Sequence, residues 1–105
     1  MSNEIARTQL FNLERILHHN GPVVIDIETP GQVDPYAQGA RILMIGVALS
    51  DTEAYVFKDP YIKPLLKILE SKSLIAHNAK FERNWLRKAY GFEGNFIVDT
   101  MLLAH

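Results

Sequence analysis

The chain has 105 residues, no cysteine, 48% hydrophobic content and a formal net charge of −1, which together predict one small globular domain without disulfides or thiolate zinc sites. Its near-neutral charge offers no bulk attraction for nucleic acid, so such a partner would have to be recognised by a local site. The start of the chain lacks the features of a secretion signal, and no apolar stretch approaches the roughly 20 residues that span a bilayer, so we expect a cytoplasmic protein outside the membrane.

Apolar spacing and turn residues predict an alternation of helices and strands. The predicted elements are, in chain order, a helix at about 4–19, strands at 23–27, 41–49 and 54–57, a helix at 61–70, a strand at 73–76, a helix at 78–89, a strand at 96–98 and a helix that begins at 101. The first three strands are expected to form an antiparallel meander, and later strands to join through helical crossovers. The predicted class is therefore α/β with a mixed sheet.

Two carboxylates stand at the end of the first predicted strand. Asp26 and Glu28 are one residue apart, so both project to one face of the strand while Ile25 and Ile27 project to the other. Two acids this close stay ionised only if cations compensate them, and clustered oxygen ligands suit Mg²⁺ or Mn²⁺. The pair therefore indicates a metal site.

The same spacing recurs at Asp51 and Glu53, between two apolar runs. That context is typical of a solvated hairpin turn, so both side chains are expected to be exposed and replaceable. The strand context, and not the spacing, selects Asp26 and Glu28 as candidate ligands.

A second polar group follows the strand at 73–76. Asn78 and Glu82 are four residues apart and share a helix face, so Glu82 could bring a third carboxylate to the same crevice. The structural alternative is that Asn78 caps the helix and Glu82 lies near the favourable end of its dipole. Phe81 and Trp85 are interpreted as core residues in preference to a base-stacking surface.

A basic stripe occupies another side of this helix. Lys80, Arg83 and Arg87 recur at helical spacing. Such a stripe is usually a solvated face, and contact with phosphates is the alternative.

Three motifs in this order and spacing resemble one family. They are Asp26-Ile27-Glu28-Thr29, His77-Asn78-Ala79-Lys80-Phe81-Glu82 and Val98-Asp99-Thr100-Met101-Leu102. Together they resemble the DEDD 3′-5′ exonucleases, especially the proofreading domain of DNA polymerase I-like (family A) polymerases, over most of the chain. The resemblance implies a ribonuclease H-like fold and phosphodiester hydrolysis with two divalent metal ions, Mg²⁺ or Mn²⁺.

The resemblance also implies roles for individual residues. Asp26, Glu28 and Glu82 would be the catalytic carboxylates and metal ligands, with Glu82 in the place of the family's usual Asp. Asp99 would be structural more often than a ligand. The residues that would hold the 3′-terminal nucleotides are Thr29, Val33, His77, Asn78 and Phe81.

The family's fourth carboxylate, with a Tyr or His four residues before it, would lie beyond residue 105. The chain is therefore interpreted as a single partial exonuclease domain over 1–105, with a leading helix at about 4–19 and an incomplete catalytic core at about 22–105. By itself it is expected to have little or no activity. The expected partners are the 3′ end of single-stranded DNA, with RNA possible, and the missing C-terminal helices or polymerase domain of the same or a separate chain.

Two further interpretations stay open. The chain could be a catalytically inactive nucleic-acid-binding or assembly fragment. It could also be part of a ribonuclease D-like RNA exonuclease in place of a proofreading domain. Metal-dependent release of mononucleotides would favour the enzyme, and binding without turnover would favour the inactive fragment.

Overall fold

The computed structural model describes residues 2–31 and 34–103. Helices and strands alternate within these residues much as the sequence predicts. The elements are α1 (Ser2–Leu17), β1 (Val23–Glu28), β2 (Met44–Ser50), β3 (Glu53–Phe57), α2 (Ile62–Leu69), β4 (Ser73–Ala76), α3 (Ala79–Tyr90), β5 (Asn95–Asp99) and α4 (Thr100–Leu103). In this part of the chain no helix is both long enough and apolar enough to cross a bilayer.

A five-stranded mixed sheet organises the molecule, with the strand order β3-β2-β1-β4-β5. Strands β1, β2 and β3 pair antiparallel, whereas β1, β4 and β5 pair parallel. The predicted meander and helical crossovers are confirmed. Strand β1 is central, as its β-branched residues indicate, so the acids at its end lie near the middle of the sheet.

Strand β2 begins at Met44 instead of residue 41. Met44 pairs with Glu28, the last residue of β1, and the Leu43 N–H donates to the Glu28 carbonyl at 2.7 Å. Pro30 and Gly31 turn the chain away immediately after β1. Residues 41–43 therefore have no strand opposite them to continue the ladder.

One face of the sheet carries the hydrophobic core. Residues Val23, Ile25 and Ile27 of β1 are buried on this face, and α1, α2 and α3 contribute side chains to the same cluster. The apolar residues predicted for the 61–70 helix are all buried in it: Ile62, Leu65, Leu66 and Leu69. Strand alternation sends the other β1 side chains to the opposite face, which is open: Val24 is 43% exposed and Val56 is 49% exposed.

Helix α3 begins and ends at the predicted signals. The Asn78 Oδ1 accepts a hydrogen bond from the Phe81 N–H at 3.3 Å, and Gly91 closes the helix with a φ of 65°. Only a residue without Cβ adopts that backbone conformation readily. The helix buries Trp85 and Leu86 against the sheet. Its start is thereby fixed at the C-terminal end of β4.

The β2–β3 hairpin confirms the turn prediction for Asp51 but not for Glu53. Asp51 is exposed in the turn, whereas Glu53 begins β3 and is partly buried. Its Oε2 lies 2.8 Å from the Arg15 Nη2 of α1, and it also accepts a hydrogen bond from the Tyr55 hydroxyl. The expectation that Glu53 is an exposed turn residue is wrong, because Glu53 begins β3 and α1 packs close enough for Arg15 to reach it. That its replacement changes stability little stays a prediction.

Candidate metal centre

Strand β1 presents Asp26 and Glu28 on the open face of the sheet, and both side chains are exposed. On β2, Gly46 stands opposite Asp26 and Met44 stands opposite Glu28. A Cβ at Gly46 would lie 3.6 Å from the Asp26 carbonyl oxygen, which is an ordinary contact. Backbone crowding therefore does not require glycine there, and the missing side chain leaves the Asp26 carboxylate accessible.

Sequence reasoning overlooked Gly46. A glycine inside a run of strand-forming residues often marks a place where a ligand approaches the backbone closely. Gly46 lies between Ile45 and Val47, so the signal was present in the sequence. Its significance depends on the register that pairs it with Asp26.

Glu82 is the buried member of the predicted carboxylate set. It is 3% exposed, and no other charged side chain in the described residues is buried. Because it lies one helical turn before Trp85 and Leu86, it approaches β1 from the core face. Its Oε2 has no hydrogen-bond partner in the part of the chain that the structure describes. A buried carboxylate without a partner is costly unless it is protonated or compensated by a cation.

The pKa of Glu82 reflects this position. Burial is the main cause that raises it from 4.5 to about 7, and the negative charges of Asp26 and Asp99 contribute in the same direction, whereas the backbone amides of Glu82 and Ile27 act in the opposite direction. The Glu82 carboxylate is therefore within electrostatic reach of Asp26. A cation between the two acids would favour the ionised form of both.

The charge of Asp26 thus acts on Glu82, but the structure does not gather Asp26, Glu28 and Glu82 into one group within the described residues. Among residues 2–31 and 34–103, no three His, Asp or Glu side chains are arranged so that they could hold one ion. Asp26 and Glu28 lie on the open face, whereas Glu82 comes from the core side. Convergence of all three stays a prediction. The unpartnered Glu82 oxygen beside Asp26 nevertheless fits the oxygen-ligand chemistry of Mg²⁺ or Mn²⁺.

Asp99 holds the neighbouring helix starts in place. Its Oδ2 accepts a hydrogen bond from the Ala79 N–H at 3.1 Å, and its Oδ1 accepts one from the Met101 N–H at 3.0 Å. Both carboxylate oxygens are therefore engaged by the backbone at the ends of β4 and β5. These two hydrogen bonds account for the structural role of Asp99 that the resemblance implies.

The described residues of the predicted nucleotide-binding set follow β1, follow β4 or lie in the first turn of α3. Thr29 donates from its hydroxyl to the Gly31 carbonyl at 2.9 Å, which stabilises the turn after β1. The exposed His77 has its Nδ1 3.0 Å from the Thr100 hydroxyl. Val33 lies outside the described residues.

The two remaining residues of that set belong to α3. Asn78 caps the helix, so the structural alternative accounts for its side-chain oxygen. Phe81 is half-buried, and its ring centroid lies 6.3 Å from that of Trp85. Contact of these residues with nucleotides stays a prediction.

Comparison with known proteins gives matches among solved structures alone. No protein-family model matches the chain, and no curated protein matches it. One similar structure is the apo form of a nuclease, with a TM-score of 0.65, 23% sequence identity, and coverage of 81% of this chain and 42% of that chain.

Two further structures are of NrnC from Brucella melitensis. The first has a TM-score of 0.59 and 25% identity over 72% of this chain and 39% of that chain. The second contains bound Mg²⁺ and has a TM-score of 0.59 and 24% identity, over 72% of this chain and 40% of that chain. The fold is ribonuclease H-like. The chain spans about two fifths of the length of these structures.

Proposed function

We propose that this chain forms part of a metal-dependent 3′-5′ exonuclease. The observation that carries the proposal is the buried Glu82 carboxylate, whose Oε2 has no hydrogen-bond partner among the described residues and whose pKa is influenced by the exposed Asp26 at the end of the central strand. One structure with the same fold is named as a nuclease, and another, of NrnC from Brucella melitensis, contains Mg²⁺. The name of the first supports a nuclease function, and the direction of digestion rests on the motif resemblance.

The proposed ligands differ in their surroundings, and so in what each contributes. Asp26 shares the open face of the sheet with Glu28, and its charge acts on the pKa of Glu82. We propose that Asp26, Glu28 and Glu82 would together hold two divalent ions, that Glu28 would also orient the attacking water, and that Glu82 would complete the site from the core side. Glu82 must be ionised to act in this way, and its raised pKa makes that dependent on the cation.

When bound, divalent ions lower the pKa of a coordinated water and neutralise charge on the phosphodiester in the transition state. The accessible Asp26 side of the sheet admits the terminal phosphodiester, because Gly46 places no side chain opposite it. The water oxygen forms a bond to phosphorus as the bond from phosphorus to the preceding 3′ oxygen breaks. A 5′-mononucleotide leaves, and the remaining strand keeps a 3′-hydroxyl that takes up a proton.

Two classes of longer protein are candidates for the one that contains this chain. The motifs resemble those of a proofreading domain of a DNA polymerase I-like enzyme, with single-stranded DNA as substrate. A ribonuclease D-like exonuclease, with RNA as substrate, is supported at least as well, because one of the structures reported above is named as a nuclease and none of these is named as a polymerase.

We also propose a polypeptide partner for the open face of the sheet. Val24 and Val56 are 43% and 49% exposed there, and the similar structures are more than twice as long as the part that this chain matches. Helices of the same or a separate chain, with an apolar face, would bury these side chains. The same helices would carry the fourth carboxylate that the resemblance implies.

The function is tested with 5′-labelled single strands of DNA and RNA in Mg²⁺ or Mn²⁺. We expect slow shortening from the 3′ end, one nucleotide at a time, and loss of this shortening in Asp26→Ala. The resemblance places a further water-orienting group, a Tyr or His, beyond residue 105. Without that group, the rate of shortening should be about 10²–10⁴-fold lower than the rate of a complete site.

Asp51→Ala is the matched control, since Asp51 is an exposed aspartate in the hairpin turn. It should shorten the strands at the unsubstituted rate. Shortening that survives Asp26→Ala, or cleavage that begins inside the strand, would contradict the proposal. Binding of 3′ ends without any metal-dependent shortening would favour the inactive binding fragment.

A further inference from the structure

A groove lies between α3 and the edge strand β5, away from the face of α3 that buries Glu82. Its volume is about 630 Å³. Its basic and polar lining residues on α3 are Lys80, Arg83, Asn84 and Arg87, and the lining from β5 is an aromatic residue, two aliphatic residues and an acid, Phe96 to Asp99. We call it the α3–β5 groove.

Its charges are unevenly compensated. Arg87 pairs with Glu93, with Nε 3.0 Å from Oε1, and the Asp99 carboxylate is engaged by two backbone N–H groups. Within the described residues, Lys80 and Arg83 have no carboxylate at ion-pair distance. The groove therefore presents two cations whose charge is available to a ligand.

Arg83 and Phe96 form a platform at the wall of the groove. The guanidinium carbon of Arg83 lies 5.2 Å from the centroid of the Phe96 ring, which is cation–π distance. Planar guanidinium and aromatic groups are surfaces on which nucleobases stack, and such stacking tolerates any base. The basic residues of α3 are placed to contact the phosphates of a nucleic-acid strand, and the neighbouring platform of Arg83 and Phe96 is placed to stack on its bases.

The spacing of the basic residues along α3 is compatible with a nucleic-acid strand. Lys80 and Arg87 are seven positions apart on α3, which corresponds to roughly 10 Å along the helix axis at about 1.5 Å per residue. That distance corresponds to about two turns of the helix. Lys80 and Arg83, the two cations without a carboxylate partner among the described residues, are about one turn apart and offer contacts to successive phosphates of one strand.

The groove meets the candidate metal centre at one end. Asp99 and Ala79 line the groove, the Asp99 Oδ2 accepts a hydrogen bond from the Ala79 N–H at 3.1 Å, and Ala79 begins α3 three residues before Glu82. We infer that the α3–β5 groove binds the phosphodiester backbone of the single strand on the 5′ side of the terminal nucleotides. This inference rests on the proposed function, because it assigns a path to the strand whose 3′ end reaches Asp26 and Glu82.

Binding is measured in EDTA, where hydrolysis does not occur, by fluorescence anisotropy of labelled 12-nucleotide DNA and RNA strands. Replacing Lys80 and Arg83 together by Gln should weaken binding about tenfold at 0.1 M salt. It should also make the dependence of log affinity on log salt shallower by about 1.4, since each phosphate contact to a single strand contributes about 0.7.

The matched control replaces Lys63 and Lys67 of α2 by Gln, because both are exposed lysines on a helix that does not line the groove. The control should bind within about twofold of the unsubstituted chain, and should show the same salt slope. Lys80→Gln alone provides a second variant at an exposed position, and should give about half the change in slope. Unfolding curves verify that each variant is folded.

Equal effects of the two double variants, or no effect of either, would overturn the inference. So would a 12-residue poly-glutamate that binds as tightly as the strands, since the groove would then select charge alone. A preference between DNA and RNA distinguishes the source of the strand. If metal-dependent shortening is absent but the Lys80 and Arg83 variant loses strand binding, the proposed function fails while the groove is confirmed as a binding site.

Discussion

In the absence of divalent metal, the unfolding free energy of the chain is expected to fall as the pH rises from about 5 to 8. The pKa of Glu82 is raised from 4.5 to about 7 in the folded state. Between these values the folded chain binds more protons than the unfolded chain, so each increase in pH favours unfolding. The stabilisation is fully present below about pH 4.5 and is lost as the pH passes through about 7.

The size of this loss of unfolding free energy follows from the shift in the pKa of Glu82. One pKa unit corresponds to about 1.4 kcal/mol, and partial screening by solvent reduces the total, so we expect a loss of about 1–3 kcal/mol attributable to Glu82. Glu82→Gln keeps the shape of the side chain and removes its titration. Urea unfolding at several pH values in EDTA would therefore show a flatter pH dependence for this variant. Parallel curves for the two proteins would contradict the assignment.

Replacing Trp85 by alanine is expected to destabilise the chain by about 3–5 kcal/mol, as large-to-small changes of buried aromatic residues do. Trp85 is 1% exposed, belongs to the core cluster, and packs beside Phe81. Because Trp85 and Glu82 are neighbours on one face of α3, its loss would also loosen the position of the Glu82 carboxylate. Much of the stability of a domain this small would be removed.

Trp85→Phe separates the contribution of ring volume from that of the indole N–H. The Trp85 Nε1 is buried and has no hydrogen-bond partner among the described residues, so removal of its N–H forfeits no hydrogen bond in this region. We expect Trp85→Phe to destabilise the chain by less than about 1.5 kcal/mol. Urea denaturation of the three proteins measures both changes. A phenylalanine variant as unstable as the alanine variant would contradict the packing explanation.

The elements that sequence predicted well are those defined by local signals. Helix α2 follows from the spacing of its apolar residues, and α3 from the Asn78 cap and the Gly91 stop, because each signal acts within one or two turns. The central place of β1 follows from its β-branched residues and from the order of elements around it. Strand β2 was predicted too long because its start depends on where a different strand, β1, ends.

The residues of the candidate site were predictable from the sequence, but the burial of Glu82 and its raised pKa were not. The alternation of side chains along β1 predicts that Asp26 and Glu28 share one face, and both are found there. The burial of Glu82 depends on how α3 packs against the sheet, which no local pattern encodes. The same limitation applies to Glu53, whose partner Arg15 lies 38 residues away in the chain.

Binding of Mn²⁺ or Mg²⁺ by the unsubstituted chain, measured by calorimetric titration and by thermal unfolding, tests most directly whether Asp26 and Glu82 form a metal centre. A cation at 100 times its dissociation constant stabilises the folded state by about 2.7 kcal/mol, so the unfolding temperature should rise in the unsubstituted chain and in the Asp51→Asn control. Asp26→Asn and Glu82→Gln should each lose most of that rise and most of the calorimetric signal. An equal rise in all four proteins, or none in the unsubstituted chain at millimolar metal, would contradict the account.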